Sequence, residues 1–349
     1  MKHSNQETYL GDKIDRKISI KETIKSRISK GFGAVSNILA IVNEVPLAHW
    51  RIEAGLQLRQ AMLLNSILFN SEAWHGVSDV ELGQLVKVDE ALLRGLLNAH
   101  SKVPLESLYL ETGCIPIRFI IKTRRLSYLH NILQKECEEL VREVYEAQKH
   151  ETSDGDFIQL VKKDANQIGI DLNDNEIAKA KKEDFKNLVK SKVRNAAFQY
   201  LIEMKQKHSK MRNIEYTTFE VQDYLKSPLF TSDNRSTLYA LRTRTVRGIR
   251  SDFGQMYQDQ SCPLGCGDRD TLPNILTCDI LKNKSQSESP ATNCVKFEDI
   301  FCNDVVKQKE ITQLYSQLLK VREEILNSST NNDAGQCINL QECDRLSVT

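Results

Sequence analysis

Residues 182–204 read KEDFKNLVKSKVRNAAFQYLIEM. Phe185, Leu188, Val189, Val193, Ala196, Ala197, Tyr200, Leu201 and Met204 recur at steps of three and four, which places them on one side of an α-helix. Lys182, Lys186, Lys190 and Arg194 repeat every fourth residue on a different side. A strand would send alternate residues to opposite faces and scatter both sets, so this stretch commits the chain to helix. The same period recurs on either side of it. Ile24, Ile28, Val35, Ile38, Leu39 and Val42 predict a helix over 23–45, ended by Pro46 because the residue before proline resists helical geometry. A second apolar segment runs from Leu56 to Phe69. Ser78-Asp79-Val80-Glu81 is a Ser-x-x-Glu capping box, and it opens a helix with Leu82, Leu85, Val86, Leu93, Leu96 and Leu97 on its apolar face. After Pro116, Ile117, Ile120, Ile121, Tyr128, Leu129, Ile132 and Leu133 repeat the pattern, as do residues 311–325 near the end. The predicted fold class is mainly α.

Breaks between these segments divide the chain. Pro104 and Gly113-Cys114-Ile115-Pro116 bracket a short Leu-Tyr-Leu segment, and the polar run 150–156 is the expected subdomain boundary. Asn173-Asp174-Asn175-Glu176 reads as a helix cap. The alternation of Asp171, Asn173 and Asn175 imitates a calcium loop, but Glu176 stands where that loop needs glycine and Lys182 where it needs glutamate. The stretch from Asn327 on is too polar to bury a core, so a disordered tail is expected there.

Composition sets the class. Hydrophobic residues are 40% and charged residues 27%, ordinary for a chain with a core. Lys+Arg 48 against Asp+Glu 47 leaves a net charge of +1, which selects no partner by itself. No stretch approaches the roughly 18 apolar residues of a membrane span, and Met1 to Thr8 lacks the apolar centre of a secretory signal. An intracellular protein without a membrane is expected. The 9 cysteines are odd in number and scattered, which is no disulfide framework. Cys114 and Cys137 are expected on helices as small buried apolar residues.

Two features could carry chemistry. Between Lys179 and Arg212 stand eleven Lys/Arg and three Asp/Glu, and Arg235, Arg242, Arg244, Arg247 and Arg250 follow with no acid between them. Cations held along a rigid helix suit a nucleic-acid backbone, and Arg242, Arg244 and Arg247 could add planar, bidentate phosphate contacts. The bland alternative is a solvated helix face. The second feature is Cys262-Pro263-Leu264-Gly265-Cys266 followed by Cys278, a spacing that can aim three thiolates at one zinc ion. All histidines lie at or before position 208, so a fourth ligand would have to come from Cys294, Cys302, Asp268 or Asp270. Asp154-x-Asp156 and Asp268-x-Asp270 read as surface turns. There is no glycine-rich phosphate loop and no nucleophile elbow, and no small-molecule substrate is indicated.

Several segments taken in order carry a further signal: Tyr9-Leu10-Gly11; Asn70-Ser71-Glu72-Ala73-Trp74; Pro104, Glu106, Leu108-Tyr109-Leu110-Glu111, Gly113, Pro116-Ile117-Arg118, Arg124-Arg125 and Leu129-His130; then Leu241-Arg242-Thr243-Arg244. Their order and spacing over residues 9–280 resemble the C-terminal part of reverse transcriptases from non-LTR (LINE-type) retrotransposons. The resemblance implies a primer-grip-like segment at 1–22, a thumb-like helical domain at 23–150, a basic helical connector at 151–255, a degenerate zinc knuckle at 256–282, a linker and terminal helix at 283–326 and the tail at 327–349. Such enzymes carry their catalytic aspartates upstream of the Tyr-Leu-Gly signature, and only eight residues precede Tyr9. A chain without polymerase or endonuclease chemistry is therefore expected. The family's knuckle reads Cys-x-x-Cys, His, Cys; here Gly265 takes the second cysteine position, Asn274 the histidine position and Cys278 the last. Zinc held by Cys262, Cys266 and Cys278 should then be weak. The resemblance implies contact with RNA or an RNA–DNA duplex through Lys182, Lys186, Lys190, Arg194, Arg242, Arg244 and Arg247. A helical protein-interaction module, or an inert gene fragment, is the alternative.

Overall fold

In the computed structural model the 182–204 stripe lies on a 25-residue helix, Lys182–Gln206, with Phe185, Val189, Val193, Ala197 and Leu201 buried along one side. The structure describes residues 6–9, 12–15, 20–74, 77–150, 155–253, 257, 259–285 and 296–332. In chain order its helices are α1 (Lys21–Asn43), α2 (Ala48–Leu58), α3 (Asn65–Ile67), α4 (Asp79–Leu97), α5 (Leu105–Thr112), α6 (Ile117–Leu133), α7 (Leu140–His150), α8 (Phe157–Ile168), α9 (Asp174–Lys179) and α10 (Lys182–Gln206). After these come α11 (Asp223–Lys226), α12 (Ser232–Thr243), α13 (Leu272–Thr277), α14 (Asp279–Ser285) and α15 (Val305–Asn332). A π-helical turn, Arg59–Leu64, joins α2 to α3. The mainly α expectation holds, with one addition: strands Gln6–Tyr9 and Asp12–Asp15 pair antiparallel. Tyr9 ends the first strand, while Leu10 and Gly11 of the primer-grip-like signature lie outside the described residues.

The chain forms two compact units, Met1–Thr231 and Ser232–Thr349. The boundary expected at 150–156 instead falls inside the first, because α6 packs on α8 and α10 from beyond it. In that unit α1 lies along α4 over a core that includes Ile38, Leu64, Ile67, Leu85, Val88 and Leu92. The two helices approach closely at Gly31: a Cβ there would come within 2.7 Å of both Ile67 and Val88. The Ser78 capping box forms as predicted. The Ser78 Oγ accepts from the Glu81 N–H, and the Glu81 carboxylate accepts from the Ser78 N–H at 2.8 Å. Asn173 likewise caps α9 by accepting from the Asn175 and Glu176 N–H groups, the cap reading rather than a calcium loop.

The Leu-Tyr-Leu segment is helical. It is α5, with Leu108, Tyr109, Leu110 and Glu111 all buried. A buried polar knot ties it to the π turn. Arg59 donates from Nε and Nη2 to Asp89 at 2.6 and 2.7 Å, Nη2 also donates to the Ile115 carbonyl at 3.1 Å, and Tyr109 donates to Asp89 at 3.0 Å. Gly113 then turns the chain at φ +61°, where a Cβ would meet the Glu220 backbone at 2.6 Å. Cys114 is buried but follows this turn rather than sitting on a helix, and Cys137 is exposed in a turn after α6, contrary to expectation.

The second unit is assembled on α15, against which α12, α13 and α14 pack. Residues 327–332, expected as disordered tail, continue α15; the rest of that tail, 333–349, lies outside the described residues. Asp270 is wholly buried and is no surface turn. Its carboxylate accepts from Arg322 Nη2 at 2.8 Å and from the Arg250 N–H at 2.7 Å, which anchors the cysteine-rich loop to the terminal helix. Tyr315 adds a bond from its hydroxyl to the Leu272 carbonyl at 3.0 Å. Among the described residues no helix is long and apolar enough to cross a membrane.

Candidate metal centre and basic faces

Local turn chemistry brings the three cysteines together. The Cys262 N–H donates to the Asp268 carbonyl at 2.8 Å, and the Gly265 N–H donates back to the Cys262 carbonyl at 3.0 Å. Gly265 (φ +83°) and Gly267 (φ +89°) supply left-handed backbone on either side of Cys266, which a side chain would strain. Thr271 then caps α13, and its far end delivers Cys278, whose N–H donates to the Asn274 carbonyl at 2.8 Å. The outcome is a triangle of Cys262, Cys266 and Cys278 with sulfurs within 4.8 Å of one another, the first and last buried. Three Zn–S bonds of about 2.3 Å in tetrahedral array put sulfurs about 3.8 Å apart. The triangle therefore needs to tighten by less than about 1 Å to fit that geometry.

The thiols differ in character. A backbone N–H from Asp268 onto the Cys266 sulfur pulls that thiol below its usual range, while burial pushes Cys262 up. Asn274, 5% exposed, lies beside the triangle, with Nδ2 donating to the Cys266 sulfur at 3.6 Å. A carboxamide is a neutral, weak zinc ligand. Among the described residues Asp268, Asp270 and Cys302 do not join the triangle: Cys302 Sγ faces the Asp299 carbonyl at 2.9 Å and Asp270 is spent on Arg322 and Arg250, while Cys294 lies outside the described residues. The arrangement can hold a metal ion through three cysteines.

The predicted cation row divides. Lys182, Lys186 and Lys190 are exposed on α10, and among the described residues Lys186 alone of the three makes an ion pair, with Glu183 at 3.7 Å. Arg194 is different: it is half-buried, donates to the Phe219 carbonyl and lies over the Phe219 ring at 5.1 Å. It belongs to the packing of the 214–222 segment rather than to the open row. The arginine cluster in the second unit divides the same way. Arg242 is buried and donates from Nη1 to the Ile300 carbonyl at 3.1 Å. Arg244 is half-buried at φ +51° with its guanidinium over Phe297 at 5.9 Å, and only Arg247 is exposed. Composition could not separate these roles, because guanidinium stems pack against rings and carbonyls as readily as they meet solvent.

In the first unit a cleft of about 500 Å³ opens beside the π turn, lined by Arg59, Cys114, Arg194 and the apolar side chains of Leu56, Ile115 and Ile120. A Cys114 so close to two guanidinium groups is invisible in sequence, since residues 59, 114 and 194 meet only through tertiary packing. No protein-family model matches this chain, and no curated protein or solved structure matches it either.

Proposed function

We propose that this chain is a noncatalytic nucleic-acid-contacting module of reverse-transcriptase descent, its cysteine triangle holding zinc as a structural clip. The observation that carries the reading is the row Lys182, Lys186 and Lys190, exposed along a rigid helix whose adjacent stripe is locked in the interior. Four residues of helix rise about 6 Å, so the three ammonium groups span about 12 Å along a backbone. Each contact with a phosphate releases condensed counterions, which favours binding without regard to sequence. Arg247 is the exposed cation of the second cluster; Arg194, Arg242 and Arg244 serve packing first. The cysteine triangle supports zinc through its soft thiolate donors, and with no fourth cysteine or histidine joining it among the described residues the affinity is modest. In this reading zinc would be held by Cys262, Cys266 and Cys278 and would cross-link the loop to α13.

The deciding experiment is a salt titration on one RNA–DNA duplex with the wild type and with K182Q/K186Q/K190Q. Glutamine preserves helix propensity, so helicity should stay constant. The slope of log affinity against log salt should fall by roughly two to three units. Equal slopes would return the row to plain solvated surface and leave the helical interaction module as the better reading. The same preparation should incorporate no nucleotide with Mg²⁺ or Mn²⁺, because this chemistry needs paired carboxylates on two ions.

A further inference from the structure

Arg59 begins the only π turn among the described residues and is 5% exposed. Such turns insert a residue into a helix and often sit where a side chain must be re-aimed. Here Nε and Nη2 are committed to Asp89 and the Ile115 carbonyl. Among the described residues Nη1 has no partner, and it is not sealed from solvent. Arg59 lines the cleft of about 500 Å³, and Nη1 is its one nitrogen without a hydrogen bond among the described residues. Arg194 lines the same cleft, spends one nitrogen on the Phe219 carbonyl and has no carboxylate partner among the described residues. The charge of Arg59 is balanced by Asp89, which leaves Arg194 as the guanidinium of the cleft without a carboxylate in direct contact among the described residues. The walls of the cleft are Leu56, Ile115, Ile120 and the Cys114 thiol, which burial pushes up and so keeps neutral. Glu220 and Lys226, both exposed, also line the cleft, and Lys226 is paired with Asp223 at 2.9 Å.

From this geometry we propose that the cleft is a binding site for a small organic oxyanion, its phosphate or carboxylate head held by Arg59 Nη1 and Arg194 and its compact apolar body seated on Leu56, Ile115 and Ile120. The volume suits a ligand of that size, and a few convergent polar groups in a mainly apolar wall are what such sites require. Guanidinium groups are the side chains best matched to planar or tetrahedral oxyanions. The site is independent of the lysine row and of any nucleic acid.

The test is calorimetry at low ionic strength on the full chain, with phenyl phosphate, benzoate and inorganic phosphate as probes. Phenyl phosphate or benzoate should bind saturably at one per chain, and whichever head is preferred identifies the ligand class. Inorganic phosphate, which cannot use the apolar wall, should bind at least tenfold more weakly. Arg194→Gln should lose tenfold or more in affinity. Should that variant fail to fold, Leu56→Trp fills the cleft from its half-buried apolar wall and should abolish binding while the circular dichroism stays native. K182Q/K186Q/K190Q should bind the probe as wild type does, which separates this site from the nucleic-acid reading. The proposal is overturned by absence of saturable binding at tens of millimolar, by unchanged affinity in a folded Arg194→Gln or Leu56→Trp, or by an equal loss in the triple lysine variant.

Discussion

Asp89 is the most consequential single residue outside the cysteines. It is wholly buried, and three donors from two side chains converge on its carboxylate. Removing one partner of such a pair strands the other charge in the interior, so Asp89→Ala should cost about 3–5 kcal/mol. The double change Arg59→Met, Asp89→Leu strands no charge and should cost less than Asp89→Ala alone; urea unfolding of the three proteins measures both. Asn274 is the opposite case, a residue whose replacement should add something. Its amide nitrogen stands 3.6 Å from the Cys266 sulfur, so a histidine at this position would bring an imidazole donor beside the three thiols. Asn274→His should retain zinc against a chelator at least tenfold better than wild type, and Cys278→Ser should lose it; competition with a chromogenic chelator reads both.

At the scale of elements, capping and docking set how firmly each helix is held. Ser78 starts α4, the helix that carries Asp89 and packs along α1, with both bonds of its capping box made. Ser78→Ala should therefore cost about 1 kcal/mol, which a denaturant midpoint detects. Helix α10 is held along its buried stripe and starts on Lys181 with no side-chain cap, so its exposed first turns can change charge without loss of packing. This is why the lysine row is a clean target and Arg194 is not. Replacing Arg194 removes a carbonyl partner and a ring contact together with a charge.

For the molecule as a whole, the two units make different demands on a metal. All three clustered cysteines belong to the Ser232–Thr349 unit, and Asp270 couples their loop to α15 through Arg322. If zinc clips that loop, chelation should raise amide exchange across residues 259–285 and the packed face of α15. Exchange in α1, α4 and α10 should stay as it was; hydrogen-exchange mass spectrometry distinguishes this from unfolding of the entire chain.

The helical class, the α4 and α9 caps, the α10 stripe and the cysteine spacing could all be read from residues alone, because capping and periodicity act over three to seven neighbours. Three points waited for the tertiary structure. Arg194, Arg242 and Arg247 look alike in sequence, and only packing divides two anchors from one surface cation. Asp270 looked like a turn until Arg322, 52 residues away, was found against it. The cleft beside Arg59 joins positions from 56 to 226 and has no local signature at all. The physical reason is the same each time: whether a charged side chain meets water, a carbonyl or a counter-charge depends on which distant segment folds over it, and local pattern does not encode that contact.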